Sequence, residues 1–256
     1  MPSLVDSQMC IRDSDKTICA DDILQKGKKS LEIKPIAHIR TDFGEKFGIP
    51  RQSGLCSLLE GKIVFEPEFA KRESVRGLEE FSHIWLIWQF SENPPTSSLT
   101  VRPPRLGGNK RVGVFASRSP FRPNGLGLSC VRLKSIEYSS SGEPVINVFG
   151  ADLCDKTPIF DIKPYVPLSD CVPDALEGYT KMTKEHILSV HIPEEKALLL
   201  PKNKLAALKE ILKLDPRPGY DDSPEKLYGL SFAGYNIKFS VKNDVLCVSD
   251  IEKIKR

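Results

Sequence analysis

The chain holds 256 residues, 40% hydrophobic and 28% charged, enough apolar content for one large domain or two of unequal size. A formal net charge of +3 names no partner, and no apolar run approaches the roughly 20 residues that cross a bilayer, so no membrane span is expected. Seven cysteines are scattered without C-x-x-C spacing; this excludes the usual zinc and redox motifs, predicts no metal site, and points to reduced thiols in a cytoplasmic setting.

Met1 to Ala20 lacks the charged-then-apolar layout of a secretory leader, and residues 1–30 are expected to form a disordered or extraneous tail. Alternation from Leu31 to Ile39 predicts a first strand, and Phe43 to Gln52, with two glycines and a proline, a loop. Leu58 to Phe65 reads as a strand and Pro67 to Glu80 as a short helix with its connections. Phe81 to Phe90 is the most apolar run; its length and aromatic content predict a buried central strand. After a Pro- and Ser-rich loop, strands are expected at Arg111–Ala116, Leu126–Ile136 and Pro144–Leu153. Four prolines between residues 154 and 174 allow only short strands and turns there.

Leu198 to Leu214 spaces Leu205, Leu208, Ile211 and Leu212 as an amphipathic helix ending at Asp215-Pro216. Tyr235–Val241 and Asp244–Val248 form a hairpin turning at Lys242-Asn243. The pattern predicts a mainly β protein: a barrel or sandwich over residues 31–170, a linker over 171–197, and a small C-terminal α/β domain over 198–256.

The chemistry concentrates between Val101 and Lys134. These 34 positions carry Arg102, Arg105, Lys110, Arg111, Arg118, Arg122, Arg132 and Lys134 and not one Asp or Glu. Such charge is either matched by carboxylates elsewhere in the fold, left to solvent, or relieved by an anionic partner such as RNA. Pro103-Pro104, Gly107-Gly108, Pro120, Pro123 and Gly125-x-Gly127 punctuate the stretch, suiting a stiff loop that presents arginines and open backbone. Gly125-Leu126-Gly127 lacks the third glycine of a dinucleotide fingerprint. Asp152, Asp155 and Asp161 are salt-bridge partners, ribose contacts or proton acceptors on this reading. His83, inside an apolar run, is read as a hydrogen-bonded core histidine in preference to a catalyst.

Longer motifs then carry a resemblance. Ile49-Pro50-Arg51-Gln52, Phe81-Ser82-His83-Ile84-Trp85, Pro103-Pro104-Arg105-Leu106-Gly107-Gly108, Gly113 through Asn124, Asp155-Lys156-Thr157-Pro158 and Asp161-Ile162-Lys163-Pro164-Tyr165 resemble, in order, the TrmO (TsaA-like) family. Asp215-Pro216-Arg217-Pro218 looks like that family's C-terminal module. The resemblance implies a non-Rossmann β-barrel methyltransferase, homodimeric, that uses S-adenosylmethionine to methylate N6 of threonylcarbamoyladenosine beside the anticodon of tRNA. By position it implies cofactor contacts from Pro50, Arg51, Gln52, Ser91, Glu92, Arg118, Leu128, Asp155, Lys156, Thr157 and Pro158. Lys156 departs from the family's Asp-Gly-Thr-Pro turn. The anticodon loop would meet Arg105, Lys110, Arg111 and Arg122, with Phe121 and Tyr165 offering stacking surfaces. No general base is singled out; Asp155 and Asp161 are candidates. The alternative is a non-catalytic RNA-binding barrel of the same fold.

Overall fold

The computed structural model describes residues 32–94, 96, 98–103, 106, 109–182, 186–217 and 226–254; the tail expected over residues 1–30 lies outside the described residues. Six antiparallel strands, β1 (Ala37–Arg40), β2 (Glu60–Phe65), β3 (His83–Gln89), β6 (Leu126–Tyr138), β7 (Pro144–Phe149) and β8 (Pro158–Pro164), close a barrel in the order β1-β2-β7-β6-β3-β8. A two-stranded ribbon, β4 (Thr100–Val101) with β5 (Val112–Gly113), interrupts the long connection between β3 and β6. Period-two alternation explains the closure, because one face of every strand can then fill the interior. Ile39, Ile63, Ile84, Leu86, Val131, Ile146, Val148 and Ile159 do so, each buried.

β3, read from the sequence as a buried central strand, is not uniformly buried. Its burial alternates instead: Ile84, Leu86 and Trp88 point inward, while His83, Trp85 and Ile87 lie on the outer wall, half-buried. Trp85 is apolar on that wall because a helical turn at Pro167–Asp170 covers it. Its Nε1 donates to Asp170 Oδ2 at 2.8 Å and its ring lies 5.8 Å from that of Tyr165.

β6 is long enough to serve two neighbours, and a register shift between Leu133 and Ser135 bends it around the barrel.

Four strands form the second sheet, in the order β10 (Tyr228–Phe232), β11 (Tyr235–Lys242), β12 (Val245–Lys253), β9 (Ser189–His191), with β9 parallel to β12. The helix α1 (Lys202–Lys213) lays Leu208, Ile211 and Leu212 into the same core as Leu230, Phe232, Ile237, Phe239 and Leu246. Burying each such side chain is worth about 1.5–3 kcal/mol. This core also takes in Phe43, Cys56 and Leu59, from the connection between β1 and β2. Lys204 Nζ meets Asp42 Oδ2 at 2.6 Å, and Glu210 accepts from Ser57 Oγ (3.2 Å) and Leu58 N (3.0 Å). The C-terminal sheet and helix therefore anchor both flanks of the loop that holds Pro50-Arg51-Gln52.

Four sequence expectations change. Among the described residues the first strand begins only at Ala37, and Leu31 lies outside them; Pro35 has no N–H to give to a ladder. Pro67–Glu80 is not one short helix but holds two single 3-10 turns, Arg72–Val75 and Leu78–Glu80, separated by Gly77 in the left-handed region (φ 83°). The strand expected at Arg111–Ala116 stops at Gly113 and continues as a 3-10 turn, where the Ser117 N–H and hydroxyl both donate to Val114 O. The C-terminal hairpin turns at Asn243-Asp244, both at positive φ (50° and 61°), one residue later than expected. Positive φ at both central residues is what a tight hairpin turn requires.

Candidate functional site

Strand directions decide where the candidate residues meet. β1, β3 and β7 end at the same rim of the barrel where β2, β6 and β8 begin: Arg40 pairs with Lys62, Gln89 with Leu126, and His38 with Pro158. Three connections therefore gather at that rim, residues 41–59, 90–125 and 150–157. Pro50, Arg51 and Gln52 lie in the first, Ser91, Glu92, Lys110, Arg111, Arg118 and Arg122 in the second, and Asp155, Lys156 and Thr157 in the third. Leu128 and Pro158 stand at the rim ends of β6 and β8. Arg105 lies outside the described residues.

Several of these side chains touch. Arg118 Nη1 donates to Gln52 Oε1, joining the first connection to the second. Phe90 N donates to Gly125 O at 2.8 Å and closes the base of the 90–125 excursion. Lys46 Nζ donates to the Glu92 carbonyl. Asp155 Oδ1 accepts from Arg40 Nε (2.8 Å) and Thr41 N (3.1 Å), and the hydrogen bond with its charge raises the Arg40 pKa. Cys154 beside it is pushed up by burial and then by the Glu92 carboxylate, so this thiol is a poor nucleophile.

Lys156 answers for its departure from the family's glycine by adopting the left-handed conformation itself, at φ 67°. The turn survives: Lys156 N donates to Ile39 O at 2.7 Å, and Thr157 Oγ1 to Cys154 O at 2.9 Å.

The rim is cationic and partly apolar. Among the described basic residues of the Val101–Lys134 stretch, only Lys134 forms an ion pair, with Glu60 at 2.6 Å. Lys134 and Arg132 also lie over the Phe149 ring, so both belong to the barrel wall. Arg111 Nη1 donates to Thr100 Oγ1 (2.6 Å) and Arg122 Nη1 to Ser117 O (3.2 Å), neutral partners that leave both charges unmatched. Between them stand Phe115 and Phe121, 77% and 46% exposed, and Leu128 is 56% exposed on the outer wall. Exposed aromatic rings among unpaired arginines suit unstacked bases and phosphates.

Three candidates fall elsewhere. Tyr165 lies at the opposite end, against His83 and Trp85, and leaves the stacking set. His83 is at that end too, its Nδ1 2.9 Å from Ser82 Oγ. Asp161 sits inside β8; its Oδ1 accepts from Ile162 N, and Lys163 Nζ lies 3.1 Å from Oδ2.

Asp152, one of three aspartates that the sequence offers as salt-bridge partners, ribose contacts or proton acceptors, ties the rim together instead. Ser129 Oγ donates to Asp152 Oδ1 at 2.6 Å and accepts from Trp88 Nε1 at 2.9 Å. Burial pushes the Asp152 carboxyl up, while the Ser129 hydroxyl, its own and the Ser53 backbone N–H groups, and the Arg118 charge favour the anion. Its sequence signal is slight: one acid between buried Ala151 and Leu153.

Together these features define a closed β-barrel protein, outside the Rossmann class, whose loops build a cationic site at one rim and whose C-terminal sheet braces that rim. The family model of the tRNA-methyltransferase O N-terminal domain matches residues 38–171, and that of the TrmO C-terminal domain matches residues 188–254. The chain belongs to the tRNA-methyltransferase O (TrmO) family. It is 38% identical over 221 residues to the tRNA (adenine(37)-N6)-methyltransferase of Escherichia coli, covering 83% of this chain and 94% of that protein. It is also 38% identical to the putative S-adenosylmethionine-dependent methyltransferase RcsF of Pseudomonas aeruginosa, covering 86% and 96% of the two chains. A crystal structure of TrmO from P. aeruginosa matches with a TM-score of 0.73 at 32% identity, over 90% of this chain and 100% of that one.

Proposed function

We propose that the chain is an S-adenosylmethionine-dependent tRNA adenine-N6 methyltransferase whose substrate is threonylcarbamoyladenosine next to the anticodon. The observation that carries this reading is the gathering of three connections at one barrel rim in a chain of this family. The donor set there suits the cofactor. Arg118 offers a cation for its carboxylate, and Glu92 and Asp155 offer carboxylates for its ammonium and ribose hydroxyls. Leu128 offers an apolar face for adenine. When bound, S-adenosylmethionine supplies an activated methyl group. The protein contributes orientation, which is worth much of the barrier in a displacement that has to be in line.

Arg111, Arg122 and Lys110 would hold phosphates of the anticodon loop, and Phe121 and Phe115 would stack on bases it splays out. The attacking nitrogen must lose a proton. Asp155 is the better placed of the two candidates, because it lies in the rim connection with one oxygen clear of Arg40 and Thr41, whereas Asp161 sits inside β8, away from the rim. The same reading takes the protein as a homodimer in the cytoplasm, with the methyltransferase domain over residues 31–170, a linker over 171–197 whose β9 (Ser189–His191) already joins the C-terminal sheet, and the supporting domain over 198–256.

Labelled S-adenosylmethionine with threonylcarbamoylated tRNA tests the reading. Label should enter that tRNA and not the same tRNA lacking the threonylcarbamoyl group. Salt-sensitive RNA binding without transfer would favour the non-catalytic barrel.

A further inference from the structure

The short connection between β7 and β8 fastens the first loop of the rim. Gly150 has φ 78°, and a Cβ there would stand 3.2 Å from the Gly54 backbone, so only glycine lets the two chains lie this close. Gly54 N donates to Gly150 O at 2.9 Å. Two residues on, the Asp152 carboxylate accepts from Ser129 Oγ at 2.6 Å, with Trp88 Nε1 backing the serine at 2.9 Å, and the Ser53 backbone N–H favours its anionic form. Ser53 follows directly on Pro50-Arg51-Gln52, and Gln52 holds Arg118.

We propose that Asp152 is a positioning residue for the cofactor: its carboxylate fixes the Pro50–Gly54 loop, and through Gln52 it fixes Arg118, in the arrangement that receives S-adenosylmethionine. This rests on the reading that Pro50–Gln52 and Arg118 bind the cofactor. A purely space-filling role would not call for an anion, since burial opposes the charge. Here the Ser129 hydroxyl donates to it at 2.6 Å, and the Ser53 backbone N–H and the Arg118 charge favour the anion against burial. The charged group acting on Asp152 is Arg118, from the 90–125 connection; Ser53, Ser129 and Trp88, from the other elements packed against it, are neutral.

The test is calorimetric titration of the full chain with S-adenosylmethionine between pH 5 and 8, for wild type, Asp152→Asn, Gln52→Ala, Arg118→Ala and Ser129→Ala. Methyl transfer at saturating cofactor is measured alongside. Asp152→Asn keeps the size but loses the anion, and should raise Kd about tenfold, the usual scale for a hydrogen bond to a charged group. Its kcat at saturating cofactor should stay within about threefold of wild type, because the loop is then occupied.

Wild type should lose affinity on the acid side, beginning above the ordinary aspartate range, because protonating the raised carboxyl removes the anion. The Asn variant should lack that limb. Ser129→Ala, which withdraws a hydrogen bond favouring the anion, should move the limb to higher pH, and it carries the test should Asp152→Asn fail to fold. If Asp152→Asn binds like wild type at every pH while Gln52→Ala and Arg118→Ala bind weakly, the inference is overturned and the loop reading stands. If Asp152→Asn, Gln52→Ala and Arg118→Ala all bind like wild type, both fall. An acid limb unmoved in Ser129→Ala likewise overturns the inference.

Discussion

Replacing Gly127 by alanine should disturb the rim from inside the barrel. Gly127 pairs with Trp88 across the β3–β6 ladder, and an alanine Cβ would land 2.4, 2.5 and 2.8 Å from Cε2, Cζ2 and Cδ2 of the indole. The ring cannot simply retreat. Phe90 meets it edge-on at 4.3 Å between centroids, and its Nε1 is committed to Ser129 Oγ. Overpacking of this kind costs about 1–3 kcal/mol, and tilting the indole off Ser129 strands a buried donor for about 1–3 kcal/mol more. A total of about 2–6 kcal/mol corresponds to a melting temperature lower by about 4–24 °C in a chain of this size. Thermal unfolding followed by circular dichroism, with tryptophan emission as a local probe, measures both effects. Adding Trp88→Leu to Gly127→Ala should recover part of the loss, since the colliding atoms are gone, and that coupling separates the clash from a general loss of strand stability. A single mutant that melts with wild type, with unchanged emission, would refute the packing argument.

Three further outcomes are expected. Lys156→Gly should stabilise the protein by about 0.5 kcal/mol, because the left-handed cost of about 1–2 kcal/mol disappears and is only partly offset by glycine's freer unfolded chain; a lower melting temperature would contradict the positive φ at this turn. Arg118→Ala should weaken S-adenosylmethionine binding, whereas Arg122→Ala should mainly weaken tRNA binding and lower its salt dependence; equal effects of both on both ligands would dissolve that division. Burial, then the Glu210 charge, pushes the Cys56 thiol up to about 12, so at pH 8 a thiol reagent should modify exposed Cys247 and spare Cys56 until the protein unfolds. Native-state labelling of Cys56 at a comparable rate would show that its core opens readily.

Much of the barrel was legible because strands write period two into the sequence. β7 sets Ile146 and Val148 two apart on its inner face, and β3 is unmistakable as a strand. Its outward face misled because Trp85 is covered by residues more than 80 positions away, and cover of that kind leaves no local mark. The same holds for the C-terminal core: Phe43, Cys56 and Leu59 look like ordinary loop residues until they are seen to share it with α1 and β11. β9 and β10 are short strands whose pairing depends on partners elsewhere in the sheet.

At the rim, charge was readable but its distribution was not. The absence of acids between Val101 and Lys134 pointed to an anionic partner, yet Lys134 spends its charge on Glu60, 74 residues earlier. The joining of Gln52 to Arg118, and of Ser53 to Ser129 through Asp152, follows from strand directions and closure, which composition does not encode. Lys156 is the reverse case. The sequence showed the departure, and only the backbone showed that the turn tolerates it.

The central claim is that the loops 41–59, 90–125 and 150–157 hold the cofactor at one barrel rim. A crystal structure of the chain with S-adenosylhomocysteine tests it most directly. The ligand should lie against Gln52, Arg118 and Leu128, with the Asp155–Pro158 turn beside it. Density for the ligand at the opposite end, near Tyr165 and His83, would contradict the account.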